Sequence, residues 1–195
     1  MDEKRLFPHK HAHCLHDEQR LKLLSEETLV SLLALEGHED VADLGSGTGF
    51  YTNRLARHTT GTVYAVDVQE EMLAHHRRAG LPPNVVQIRG DIDKLPCSPG
   101  TLDRAVSIST FHEAHEAAGL AALARALRPG GRVVVVDWRR DTPEPEEGPP
   151  LAIRFTKEEV GDMLSALFEV RELRDLSPLL FAVTAEQGAA SATTR

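Results

Sequence analysis

The sequence predicts an α/β domain built on a mainly parallel sheet, and three observations predict it. Short apolar runs alternate with amphipathic helical patterns along most of the chain. One run, Val133–Val136, is continuous valine, as expected of a strand covered on both faces. A glycine-rich turn, Gly45-Ser46-Gly47-Thr48-Gly49, separates the first run from the next helical pattern. Strands alternating with helices imply βαβ crossovers, and crossovers imply parallel pairing.

The elements follow in order. A helical pattern covers about Asp17–Leu24. A second runs over Glu26–Leu35, with Ser25 as N-cap and Leu29, Leu32, Leu33 and Leu35 on one apolar stripe. The strand runs are Val41–Leu44, Thr62–Val66, Asn84–Ile88, Arg104–Ser109 and Arg132–Asp137, with helical candidates at about 50–58, 69–79 and 115–127. The helix at 69–79 opens with Glu70 and Glu71 and closes with Arg77, Arg78 and Gly80, which suits the helix dipole and a glycine C-cap. Residues 139–150, RRDTPEPEEGPP, read as an exposed connection. Thr156 and Glu159 have capping-box spacing and open a helix to about Leu167. Two last runs, Phe168–Leu173 and Leu179–Thr184, flank a turn and suggest a hairpin added to the sheet. Residues 1–40 are therefore read as an arm and helical cap, 41–185 as the α/β domain, and 186–195 as a disordered tail.

Length, charge and cysteine content narrow the function. A chain of 195 residues suits one domain with a single core. The net charge of -8 disfavours a phosphate backbone as partner, so nucleic acid is a poor default. Two cysteines, Cys14 and Cys97, form no disulfide framework and suit a reducing cytoplasm. The N-terminus lacks the apolar stretch of a signal peptide, and no run approaches the length of a membrane span. A cytoplasmic location is the expectation.

Glycines between a strand and a helix let backbone approach a ligand closely. A dinucleotide fingerprint places its third glycine or alanine three positions after the second. That position is Phe50, so the spacing argues against a nicotinamide oxidoreductase. A tight turn without a ligand is the bland alternative. Asp67 lies about 20 residues beyond the loop, at the end of Thr62–Val66, where an acid can accept hydrogen bonds from ribose hydroxyls. It can equally cap the helix that begins at Gln69. Asp91, in Gly90-Asp91-Ile92, ends the third strand run on the same side of the sheet, although most such residues only serve a turn.

Taken together, VADLGSGTGF, VYAVD, GDIDKLP and LRPGGRVVVVDW resemble the successive motifs of class I S-adenosylmethionine-dependent methyltransferases over about residues 17–184. The resemblance implies a Rossmann-like, doubly wound, mostly parallel seven-stranded sheet with one antiparallel strand and an N-terminal helical cap over the crevice. It implies S-adenosylmethionine as cofactor. Asp43, Gly45, Ser46, Gly47 and Gly49 would border its methionine part, Asp67 its ribose, and Val68 its adenine. Asp91 would meet the adenine amino group and Ile92 would offer its backbone amide to the ring. Ser109 and Thr110 would sit near the transferred methyl. LHDEQR, STFHEA, VVDWRR, GPP and Arg154 further resemble small prokaryotic methyltransferases of mostly unassigned substrate.

Methyl transfer asks little acid–base work of a protein unless the acceptor must lose a proton. His112 is the candidate base, because it follows the fourth strand at the crevice edge and imidazole is available neutral near pH 7. The alternative is a histidine that shapes the pocket or caps the next helix. Glu113 reads equally as a first-turn helix residue. Trp138 follows the fifth strand and either stacks on the acceptor or packs in the core. His9, His11, His13, Cys14 and His16 lack zinc-site spacing, so no metal is expected and a solvated arm is the reading. His75 and His76 are read as an exposed helix face. The expected partner is a small-molecule acceptor, with RNA or protein methylation, a nicotinamide oxidoreductase and a non-catalytic cofactor-binding protein as rivals. The arm and residues 139–150 are expected to border the crevice.

Overall fold

The computed structural model describes residues 7–8, 18–91, 95, 97–113, 117–144 and 146–188. The histidine cluster at 9–16, Ile92 and the end of the tail lie outside the described residues.

Two short helices open the fold. Helix α1 (Arg20–Leu23) is one turn; α2 (Glu26–Leu33) follows, and the Ser25 side chain accepts the backbone N–H of Thr28 as the expected N-cap. Leu29, Leu32 and Leu33 of α2 are buried against one face of the sheet. Residues of α1 reach the crevice, so the cap over it is α1, while α2 lines the sheet's flank.

Strands β1 (Val41–Leu44), β2 (Val63–Asp67), β3 (Val85–Arg89), β4 (Leu102–Ile108), β5 (Leu127–Trp138), β6 (Glu169–Asp175) and β7 (Leu180–Glu186) form one sheet in the order β3-β2-β1-β4-β5-β7-β6. Pairing is parallel from β3 across to β5. Strand β7 runs antiparallel to both β5 and β6, which makes it the one reversed strand. The order changes direction at β1 and β4, and their C-terminal ends open a crevice there.

The valine run shows why the sheet is buried on both sides. Val134 and Val136 join the apolar cluster with α2, whereas Val133 and Val135 join the opposite cluster with helices α5 (Ala117–Ala126) and α6 (Lys157–Ser165). Successive side chains point to opposite faces, so an unbroken apolar run is what a doubly covered strand requires. The capping box of α6 forms as the spacing predicts: Thr156 accepts from Glu159 N–H and Glu159 accepts from Thr156 N–H.

Two boundaries and the burial of one residue differ from the sequence reading. The helix expected at 50–58 keeps its i→i−4 ladder only over α3 (Thr52–Leu55), and the path continues to His58 through tighter i→i−3 bonds. Strand β5 begins at Leu127 rather than Arg132, since Leu102 pairs with Leu127 before the ladder shifts register. His76, on α4 (Glu70–Ala79), is fully buried rather than exposed. Its ring packs on Gly49 and its Nε2 lies 2.7 Å from Asn53 Oδ1. An adjacent pair on a helix points about 100° apart, so His75 and His76 need not share a fate. No helix among the described residues is long and apolar enough to cross a membrane.

Candidate functional site

A cavity of about 650 Å³ occupies the crevice at the C-terminal ends of the strands. Asp43, Gly45, Ser46, Gly47, Asp67 and Val68 line one end of it. The backbone explains this convergence. Gly45 and Ser46 donate their N–H groups to Val66 O at 2.8 and 2.9 Å, which ties the loop leaving β1 to the end of β2. Gly45, Gly47 and Gly49 all have positive φ, a region costly for other L residues. A Cβ on Gly45 would collide with Thr110, and one on Gly49 would enter the His76 ring. The glycines thus serve close packing as well as any ligand.

Asp67 works harder than sequence alone indicates. Its Oδ1 accepts Gln69 N–H at 2.8 Å, a turn bond just ahead of α4, whose N-cap is Gln69 rather than the expected Asp67, and its Oδ2 accepts Gly47 N–H at 2.8 Å. The second bond anchors the glycine loop from across β2. Burial pushes the Asp67 carboxyl up, and the backbone N–H groups of Gln69, Gly47 and Val68 pull it back in part.

Asp43 is buried at the end of β1 and accepts the Thr52 hydroxyl at 2.6 Å. Burial raises its pKa to about 6, against the Thr52 bond and the nearby Arg20, and with Asp67 adding to the rise. A raised pKa in the folded state means that Asp43 stabilises the fold fully only below about pH 4 and loses that contribution as pH rises through about 6. Asp43→Asn should therefore gain on the wild type by roughly 3 kcal/mol between about pH 4 and 7.5 in ligand-free protein. Chemical denaturation at the two pH values checks it; parallel pH profiles would show that Asp43 is not strained.

Ser109 closes β4 with a positive φ of 55°, unusual for a residue with a Cβ, and donates its N–H to Val136 O. The turn carries Thr110 onto Gly45 and leads into a 3₁₀ turn, Phe111–Glu113. Here His112 is buried and tied to Asp137 at the end of β5. Asp137 accepts His112 N–H at 2.9 Å and Trp138 N–H at 2.7 Å, and its Oδ1 lies 2.8 Å from His112 Nδ1. An acceptor-only carboxylate on Nδ1 selects the tautomer that carries hydrogen there and frees Nε2. Burial opposes charge on His112, but the Asp137 bond and the charges of Asp137 and Glu113 outweigh it and raise the pKa. Glu113 Oε1 lies 4.0 Å from His112 Nε2 and accepts Phe7 N–H at 2.9 Å. Burial is the main cause that lifts the Glu113 pKa to about 7.

The remaining wall is apolar. Ile108, Trp138, Pro149, Pro150, Ile153 and Leu180 line it. Gly148, Pro149 and Pro150 stay against it because Arg154, 1% exposed, donates to the carbonyls of Pro149, Arg139 and Glu147. Its guanidinium lies 5.7 Å from the Trp138 ring centroid. Gly148 passes flat over Trp138, where a Cβ would clash. Phe7 and Pro8, the described part of the arm, border the same cavity.

Of the sequence-predicted site residues, Asp43, Gly45, Ser46, Gly47, Asp67, Val68, Ser109, Thr110, His112 and Trp138 line this cavity. Gly49 stands behind the loop against His76, and Asp91 lies just past β3, outside the lining. Sequence reasoning missed Arg20, Tyr51 and Met72, which line the cavity through the fold alone. Asp137 had a signal: like Asp43 and Asp67, it is an acid at the C-terminal end of a strand. Phe50, the residue that breaks the dinucleotide spacing, is buried edge-on to Tyr51 and forms part of the wall.

The residues present fit S-adenosylmethionine. The Ser46 hydroxyl is buried with no hydrogen-bond partner among the described residues, in the cavity lining. The buried carboxylates Asp43 and Asp67 suit a ligand that carries ammonium and sulfonium charge beside ribose hydroxyls.

Comparison with known proteins agrees. Residues 41–131 match the family described as "Methyltransferase domain". An uncharacterized methyltransferase of Mycobacterium bovis is 37% identical over 101 residues, covering 52% of this chain and 40% of that protein. A demethylmenaquinone methyltransferase of Mycolicibacterium vanbaalenii is 35% identical over 111 residues, covering 56% and 46%. The chain thus spans less than half the length of these curated relatives. A solved SAM-dependent methyltransferase from Aquifex aeolicus superposes with a TM-score of 0.85 at 29% identity, over 93% of this chain and all of that one. Motifs, strand order, crevice and relatives converge on one likeness, to the S-adenosylmethionine-dependent methyltransferases of Rossmann-like fold.

Proposed function

We propose that this protein transfers the methyl group of S-adenosylmethionine to a small, largely apolar acceptor. One observation carries the proposal: a single cavity joins a polar end, made of Asp43, the glycine loop and Asp67, to an apolar end into which His112 faces. When bound, the cofactor supplies an electrophilic methyl on a positive sulfur. Asp67 would hold ribose hydroxyls while keeping Gly47 in place, and Asp43 with Ser46 would meet the methionine part. Asp91 and Ile92 keep their expected adenine roles only by resemblance. His112, fixed by Asp137, takes a proton from the acceptor when its nucleophile is an acid, and Trp138 forms the acceptor wall. The apolar walls keep water from the reacting centre. The relative named for demethylmenaquinone supports an apolar acceptor. The net charge of -8 counts against RNA.

Calorimetry with S-adenosylmethionine, S-adenosylhomocysteine and NAD tests the reading. Saturable binding of the first two and none of NAD is expected. Binding of NAD alone would overturn it.

A further inference from the structure

Beside the hydroxyls of Ser109 and Thr110, the acceptor half holds few titratable groups. Glu113 and His112 line it, with Asp137 behind the imidazole and Asp67 at the boundary with the cofactor end. Among the described residues Arg20 is the one Lys or Arg in the lining, and its guanidinium lies over the Phe50 and Tyr51 rings beside Asp43, at the other end. Arg154 bears electrostatically on His112, but its donors go to the backbone carbonyls of residues 139, 147 and 149. A phosphate, carboxylate or phenolate entering here meets carboxylates, and the one lining group there that can carry positive charge, the His112 imidazole, is already paired with Asp137. A cation meets the reverse.

The spacing adds a second, independent constraint. Nε2 of His112 has no hydrogen-bond partner among the described residues, and Glu113 Oε1 stands 4.0 Å from it. With His112 neutral, as it must be to take a proton, one atom at about 2.9 Å from each would bridge the gap and both neighbours are acceptors. Such an atom must carry two hydrogens. A hydroxyl has one; an amine or ammonium nitrogen has two or more.

We infer that the acceptor is an apolar amine, held by its nitrogen between His112 Nε2 and the Glu113 carboxylate, a reading that rests on the methyl-transfer function proposed above. The amine arrives as R–NH₃⁺ and passes one proton to His112. The freed lone pair forms the N–C bond to the methyl carbon as the C–S bond breaks, its electrons returning to sulfur as a neutral thioether. The product leaves as R–NH₂⁺–CH₃. Asp137 balances the imidazolium that results, and Phe7 N–H holds Glu113 in position. Burial lifts the Glu113 pKa to about 7, so the carboxylate that captures the amine is complete only above neutrality.

The test uses protein saturated with S-adenosylhomocysteine, with 2-phenylethylamine and 2-phenylethanol as probes in calorimetry. The amine should bind about tenfold or more tighter than the alcohol, as a hydrogen bond to a charged group implies. Glu113→Gln should remove that advantage and leave the affinity for S-adenosylhomocysteine intact. Should the variant misfold, the wild type still decides: amine affinity should rise between about pH 6 and 8 as Glu113 ionises, while that of the alcohol stays flat. Equal binding of the two probes, binding of neither, or a pH-independent amine affinity would overturn the amine assignment. Loss of S-adenosylhomocysteine binding itself would instead overturn the proposed function.

Discussion

Asp67→Ala should lower affinity for S-adenosylhomocysteine by about 10- to 100-fold or more while the sheet stays folded. The expectation combines two losses. A ligand ribose would lose a carboxylate that accepts its hydroxyls, at roughly 1.5–3 kcal/mol for each bond to a charged group. The glycine loop would lose the 2.8 Å bond from Gly47 N–H to Asp67 Oδ2. Asp67→Asn separates them, because its remaining carbonyl oxygen can accept from Gly47 or Gln69 but not from both as the carboxylate does. Calorimetry on both variants, with circular dichroism to confirm folding, checks the prediction. Unchanged affinity in Asp67→Ala would remove Asp67 from the ligand site and leave it as a turn and loop anchor.

Gly49→Ala should be among the most destabilising single changes in the chain, by about 2–5 kcal/mol. The added Cβ would enter the ring of His76, which is fully buried and unable to swing into solvent. The φ of +79° adds backbone strain that exists for any side chain. The two causes separate in a double variant. Gly49→Ala with His76→Ala should recover the steric part but not the backbone part, so its loss of stability should be smaller than the sum of the single losses. Denaturant unfolding of the four proteins measures the coupling. A purely additive cycle would mean that His76 moves aside at no cost and that φ alone sets the requirement for glycine.

Some of this protein was determined by local sequence. Val133–Val136 had to be a doubly covered strand, because period-2 side chains that are all apolar need two faces to bury them. Ser25 and the Thr156–Glu159 pair fixed helix starts through side-chain bonds that close within three residues. The glycine loop, Asp43 and Asp67 were legible for a related reason: in a parallel sheet the C-terminal ends of adjacent strands share one edge, so topology alone gathers them.

The rest was decided only when distant segments met. His76 looked like one of a pair of exposed histidines, and the space left by Gly49, 27 positions earlier in the chain, draws it inside. Glu113 looked like an ordinary first-turn acid until the Phe7 amide and the His112–Asp137 pair surrounded it and burial raised its pKa. Arg154 entered the sequence reading only through a resemblance, and nothing local showed that three carbonyls from residues 139, 147 and 149 would hold its guanidinium inside. Local pattern reports what a segment can bury. Which charges become buried together depends on desolvation by neighbours far away in the chain, and only the tertiary structure brings those neighbours into place.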